Sequence, residues 1–241
     1  MTRPLNIEVL ETEALVAERA ANFIAEEAKK AVAARGRFVM AVSNGHISWL
    51  MLRALSGAEL PWPSVHIVQV AERDAPAGHP DRNLTHLQNS LLAHAPLTAA
   101  QVRAMPMESP DLAAAAANYA ATLRQIAGSP PTLDLIQLCL GDDGHTASLH
   151  PGDPSLNIDD ADVAITSDYH TRRRMTLTYP IINRSRQILW VVTDAWKSEM
   201  LRRLIEGDET IPAGRVRRDG ALVLADDEVA AQLNVDYKKA A

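Results

Sequence analysis

Cys139 is the single cysteine among 241 residues, so no intramolecular disulfide can form and a reducing compartment is expected. It lies in an apolar run and reads as a small buried hydrophobe, not a reactive thiol. No stretch approaches the ~20 apolar residues of a membrane span. The first residues, Met1 to Glu8, hold no apolar signal core, which points to the cytoplasm. No Lys/Arg run occurs and the formal net charge is −6. Nonspecific nucleic-acid binding is therefore not expected, and any anionic ligand needs a local basic pocket. Gly-x-Gly-x-x-Gly is absent, which removes a dinucleotide fingerprint. His66, His79, His86, His94 and His170 show no ligand spacing such as His-x-x-x-His, so neither a metal nor a cofactor is expected. Without a Gly-x-Ser-x-Gly elbow, Ser148 is a poor candidate for a nucleophile.

What remains is an ordinary globular composition, long enough to bury a core without staples. Thr12 caps a helix that runs to about Arg35, with Val16, Ala20, Phe23, Ile24 and Ala28 at helical spacing and Gly36 as its stop. Residues 37–42, 65–70 and 133–140 read as buried strands. Residues 49–55, 86–94, 111–127 and 195–206 read as helices, and 174–178 and 187–193 as further strands. Alternating strand and helix implies a mainly parallel, Rossmann-like sheet covered on both faces. Neither repeats nor a long linker interrupt it, so residues 1–241 read as one domain.

The strand-like run ending at Leu140 leads into Gly141-Asp142-Asp143-Gly144-His145-Thr146-Ala147-Ser148-Leu149, then Pro151-Gly152. Polar groups at the C-terminal tip of a strand stand where open α/β sheets bind ligands. Imidazole is the side chain whose ordinary pKa lies near neutrality, and Asp143 is two residues from His145. His145 is thus a candidate general base and Asp143 its orienting partner. A solvated Gly-rich turn is the plain alternative. Two other strand ends carry polar groups, Ser43-Asn44-Gly45-His46 and Glu72-Arg73. The first joins strand to helix, where backbone N–H groups can hold phosphate. The Arg73 fork suits bidentate phosphate binding, with an ion pair to Glu72 or Asp74 as its alternative.

The central motif resembles that of the 6-phosphogluconolactonases. Arg174-Met175-Thr176-Leu177-Thr178-Tyr179-Pro180-Ile181-Ile182-Asn183 is similar to their Arg-x-Thr-Leu-Thr-x-Pro-x-Ile/Leu-Asn segment. Glu72-Arg73, Pro76, His79-Pro80-Asp81 and Asn83 resemble their Asp-Glu-Arg loop, and Lys197 falls where the family has a lysine opening a late helix. The resemblance implies a three-layer α/β/α fold shared with the glucosamine-6-phosphate deaminases. It also implies hydrolysis of 6-phospho-D-glucono-1,5-lactone in the oxidative pentose phosphate pathway. His145 would then act on water, assisted by Asp143. Ser43, Asn44, Gly45, His46, Glu72, Arg73, Gly144, Arg174 and Lys197 would hold the sugar phosphate, and glycine-bounded backbone N–H groups would meet the oxyanion. Arg172, Arg173, Arg202, Arg203, Arg215, Arg217 and Arg218 are expected to be solvated.

Three positions depart from the family pattern. Ala71 stands where Asp-Glu-Arg has its acid, Cys139 replaces a glycine, and Asn44 and His46 alter a Ser-Gly-Gly-Ser loop. Asn tolerates left-handed backbone, so Asn44 can keep the turn. His46 either donates to phosphate or crowds the loop. Ala71 keeps two alternatives open beside the lactonase: a sugar-phosphate isomerase or deaminase, and a catalytically weakened sugar-phosphate-binding protein. The sequence leaves the oligomeric state open.

Overall fold

The computed structural model describes residues 5–233 and the backbone of 238–239. Met1 to Pro4, part of the N-terminal stretch without an apolar signal core, lie outside the described residues. In chain order the elements are β1 (Asn6–Leu10), α1 (Glu13–Arg35), β2 (Phe38–Val42), α2 (His46–Ser56), β3 (Val65–Gln69) and β4 (Ala71–Arg73). Next come α3 (Asn83–Leu87), β5 (Val102–Arg103), α4 (Leu112–Ala127), β6 (Leu135–Leu138), β7 (Val163–Ile165) and β8 (Arg174–Leu177). The chain continues through α5 (Tyr179–Arg184), β9 (Gln187–Val192), α6 (Ser198–Glu206), β10 (Ala221–Asp226), α7 (Asp227–Ala230) and β11 (Lys238–Lys239).

Eight strands form a parallel sheet in the order β11-β1-β10-β9-β6-β2-β3-β5. Strict alternation builds two cores from single strands. Phe38, Met40 and Val42 of β2 join one buried cluster with Val16, Ala20 and Ile24 of α1 and Met51 of α2. Val39 and Ala41 of the same strand join the other, with Tyr119 and Leu123 of α4 and Leu201 of α6. Both faces of the sheet are thus dry, as period-two side chains require when helices cover both sides. Phe38 and Ile24 have no exposed surface, and each such side chain contributes about 1.5–3 kcal/mol relative to exposure.

Helix α1 starts and stops on local chemistry. The Thr12 hydroxyl accepts the Leu15 N–H at 3.3 Å, and Gly36 takes φ 72° to end it. Helix α2 begins at His46, three residues earlier than the expected Trp49. The expected 86–94 helix is a short α3 that begins at Asn83 and passes into a π-helical turn, Gln88–Leu92. Strands β1 and β10 were not anticipated from sequence.

One expectation needs a larger correction. Glu72-Arg73 and Arg174 do not belong to the parallel sheet. Strand β8 pairs antiparallel with β4 and β7 in a separate three-stranded sheet. Its Val163, Met175 and Leu177 pack into the same buried cluster as Val68 and Ile188 of the main sheet. Apolar alternation alone does not say which sheet a short strand joins.

The strand order also sets the place of the site. From β2 the chain builds outward through β3 and β5; from β6 it builds the opposite way through β9 and β10. The reversal falls between β2 and β6, where loops leave in opposite directions and open a crevice at the carboxyl ends.

Candidate active site

The loop after β6 is a tight turn closed by its own backbone. Gly141 N–H donates to His145 O at 2.9 Å, and Gly144 N–H donates to Gly141 O at 3.2 Å. Gly144 has φ +80°, and a Cβ there would stand 2.7 Å from Ile211 Cβ. Its carbonyl accepts from Ala213 N–H at 2.9 Å. The N–H groups of Gly141 and Gly144 and the Gly144 carbonyl are engaged inside the fold, so both glycines brace the turn.

The turn delivers His145 onto Asp143. His145 Nδ1–H donates to Asp143 Oδ1 at 2.6 Å, and the His145 backbone N–H donates to the same oxygen at 2.9 Å. Tyr169 OH donates to Asp143 Oδ2 at 3.1 Å. Burial alone would raise the Asp143 carboxyl, but the bonds and charge of His145, together with Tyr169, outweigh it and hold the group well below the usual carboxylate range. An acceptor-only partner at Nδ1 assigns the proton to that nitrogen and leaves Nε2 as the basic one. The ring also lies close over Gly141, where a Cβ would come within 2.1 Å of Nδ1.

Opposite this base lie two guanidiniums. Arg73 and Arg174 are direct partners in the β4–β8 ladder, a placement of like charges that costs stability. Arg73 Nη1 donates to the Asp81 carbonyl at 3.0 Å. Arg174 is only 7% exposed, and its Nε has no hydrogen-bond partner. Its guanidinium lies 5.0 Å from the Tyr169 ring centroid. Burial first, and then the charge of Arg73, depress Arg174 to about 10. A buried, underpaired arginine beside another arginine is a site awaiting an anion.

A cleft of about 410 Å³ joins the two halves. Ser43 and Asn44 enter it from the loop after β2, Ala71 and Arg73 from β4, and Asn83 from the start of α3. Cys139, His145, Ala147 and Ser148 come from the loop after β6, and Arg174 from β8. Gly45 caps α2 without a side-chain cap, which leaves that helix end near the cleft open. Ser43 N–H donates to Gln137 Oε1 at 2.9 Å, and Asn44 Oδ1 accepts from Trp49 Nε1 at 2.7 Å.

Other expected site residues are turned elsewhere. Glu72 is fully buried. Its carboxylate accepts the N–H groups of Arg73, Asn83 and Leu84 at 2.7, 2.7 and 2.8 Å and Gln69 Nε2 at 2.8 Å. It therefore holds the α3 start and the Arg73 backbone instead of a ligand. The His46 side chain is 61% exposed and lies 3.6 Å from Glu13. Lys197 ends a 3-10 turn, Ala195–Lys197, between β9 and α6; it pairs with Asp194 at 2.8 Å and does not line the cleft. Arg172 is not a merely solvated residue: it donates to Asp81 Oδ2 and to the Asp74 carbonyl, both at 2.8 Å. Arg203 pairs with Asp208 at 2.7 Å.

Sequence reasoning missed Tyr169 and the function of His150. His150 stacks on Tyr169 with centroids 3.5 Å apart and planes 9° apart. Only 2% of it is exposed, and neither ring nitrogen has a partner. Burial, then the charges of His145 and Arg174, push it down to about 3, so it is neutral. Donor atoms of Asp143, His145 and His150 all lie within 4.8 Å of one another, a grouping able to face a cation that no His-x-x-x-His spacing announces.

Among the described residues no helix is long and apolar enough to cross a membrane. The family model described as glucosamine-6-phosphate isomerases/6-phosphogluconolactonase matches residues 11–224. A 6-phosphogluconolactonase of Synechocystis is 33% identical over 233 residues, covering 94% of this chain and 97% of that protein. The one from Homo sapiens is 34% identical over 238 residues, covering 93% and 89%. Among solved structures, 6-phosphogluconolactonase from Trypanosoma cruzi superposes with a TM-score of 0.86 at 21% identity, covering 98% of this chain and 99% of that one. A monomeric glucosamine-6-phosphate deaminase superposes with a TM-score of 0.83 at 18% identity, covering 95% and 100%. These two structures bear on the fold alone.

Proposed function

The chain belongs to the glucosamine-6-phosphate isomerase/6-phosphogluconolactonase family, as an enzyme hydrolysing 6-phosphogluconolactone in the oxidative pentose phosphate pathway, and we propose that His145 is the general base of that reaction. The observation that carries this reading is one cleft with two chemically opposite ends. One end is an imidazole whose Nδ1–H is held by Asp143 at 2.6 Å. The other is the Arg73–Arg174 pair.

The lactone carries its dianionic phosphate on C6 and its electrophile at C1. The guanidiniums, with the open start of α2, bind the phosphate. Water between His145 Nε2 and C1 loses its proton to the imidazole as it attacks. Asp143 stabilises the imidazolium that forms, and the proton then passes to the ring oxygen that leaves C1. Product is 6-phosphogluconate. A base of this kind contributes about 10²–10⁴-fold. Holding the substrate by its distant phosphate aligns C1 with the water. No step calls for a metal or a cofactor. A cytoplasmic location belongs to the same proposal, in line with a lone cysteine.

The test is hydrolysis of freshly generated 6-phosphogluconolactone, corrected for spontaneous opening, beside the unphosphorylated lactone. A rate that favours the phosphorylated substrate and falls about 10²–10⁴-fold in His145→Asn is expected. Ammonia release from glucosamine 6-phosphate instead would support the deaminase side of the family. A wild-type rate in His145→Asn would refute the assignment of the base.

A further inference from the structure

Tyr169 contacts both ends of the cleft. Its hydroxyl donates to Asp143 Oδ2 at 3.1 Å, the oxygen that His145 leaves free. One ring contact is the stack on His150 at 3.5 Å; another is the Arg174 guanidinium at 5.0 Å. The His145 ring meets it edge-on at 5.8 Å. The turn that presents it is unusual. Tyr169 and Arg172 bridge each other, and the two residues between them, His170 and Thr171, have φ 49° and 67°. A β-branched residue in the left-handed region is costly, and such strain persists only where surrounding contacts impose it. Arg172 anchors the end of this turn through its two bonds to Asp81 and Asp74, in the segment that also holds Arg73.

We infer that Tyr169 is a positioning residue that couples the base to the phosphate-binding arginine. The inference rests on the lactonase reading of this cleft. The hydroxyl fixes the rotation of the Asp143 carboxylate, so that Oδ1 faces His145 Nδ1 and the imidazole presents Nε2. The ring, backed by His150, holds the Arg174 guanidinium, whose Nε finds no partner of its own. His150 serves as an apolar platform, since neither of its nitrogens is bonded. The two halves of one side chain thus have separable duties. Ala71 is compatible with this arrangement, because the carboxylate against His145 comes from Asp143 and is steadied from the Tyr169 side.

Two variants separate the duties. Tyr169→Phe removes the hydroxyl and keeps the ring. It is expected to lower kcat about tenfold, the effect of losing one hydrogen bond to a charged group, with KM for the phosphorylated lactone unchanged. Tyr169→Leu removes both, and should also raise that KM about fivefold through loss of the cation–π contact. A purely structural role would lower kcat, raise KM and lower thermal stability together in either variant. Two measurements need no turnover. The His145 Nδ1–H proton should give a downfield NMR resonance that moves in Tyr169→Phe and disappears in Asp143→Asn. Calorimetric binding of inorganic phosphate should weaken in Tyr169→Leu and persist in Tyr169→Phe. If the wild type fails to open the lactone, the activity reading falls, while these two measurements still judge the coupling. An unmoved resonance with wild-type kcat in Tyr169→Phe, or equal phosphate affinity in both variants, overturns the inference.

Discussion

Gly141→Ala isolates the placement of the base from the rest of the fold. Gly141 has no left-handed φ, so alanine fits its backbone. What alanine cannot fit is the imidazole, because its Cβ would lie 2.1 Å from His145 Nδ1 and 2.3 Å from Cε1. Ordinary contact at 3.4 Å requires the ring to retreat by about 1.3 Å. That retreat breaks the 2.6 Å bond to Asp143 and carries Nε2 away from the water. A misplacement of about 1 Å typically costs about 10² in rate, so kcat should fall about 10²-fold. KM should hold, because neither Arg73 nor Arg174 is touched. Stability should change little: less unfolded-chain entropy offers about 0.4–1 kcal/mol, and overpacking against a partly exposed ring removes a comparable amount. Steady-state kinetics on fresh lactone together with a melting curve measure both. Wild-type kcat in a folded variant would show that His145 tolerates displacement and is not the base. Gly144→Ala is the contrasting control, since φ +80° and Ile211 at 2.7 Å penalise the fold itself.

Further outcomes follow from the same geometry. Arg174→Met removes a buried guanidinium whose Nε is unpartnered; it should raise the melting temperature and raise KM at least about tenfold, measured by scanning calorimetry and kinetics. His150 is depressed to about 3 in the folded protein, against about 6.5 unfolded. The unfolded chain therefore takes up the proton first, and wild-type stability falls as pH drops below about 6.5. His150→Phe should escape this, gaining about 2 kcal/mol over wild type between pH 7 and pH 5 in urea titrations; a constant gap would show that the wild-type imidazole is not held neutral. Ala71→Asp should not raise kcat, because Asp143 already orients the base. A carboxylate two residues from Arg73 on the same strand should instead raise KM several-fold by competing for the guanidiniums. Activity should survive dialysis against EDTA; a loss restored by zinc would assign a catalytic cation to Asp143, His145 and His150.

Much of this protein was legible in its sequence because the signals are local. Thr12 and Gly36 bracket α1 through caps that need no tertiary partner. The buried run at β2 is apolar without alternation, and β3 and β6 are apolar but for His66, Gln69 and Gln137, as suits strands covered on both faces. Asp143 and His145 are two residues apart, so a glycine turn suffices to bring them into contact. Tertiary structure decided the rest, since long-range pairing has no signature in a short window. Ala71–Arg73 looks like the tip of β3 but leaves for a second sheet, where Arg73 meets Arg174 across about a hundred residues of chain. Glu72 beside it is equally charged, yet alternation turns it inward to cap α3. Tyr169 stands in a turn with no motif at all and reaches Asp143 only through the folded β7–β8 hairpin. Sequence determined which side chains could do chemistry. Packing determined which of them share one cleft, because like-charge pairing, carboxylate burial and ring stacking are properties of neighbours in space.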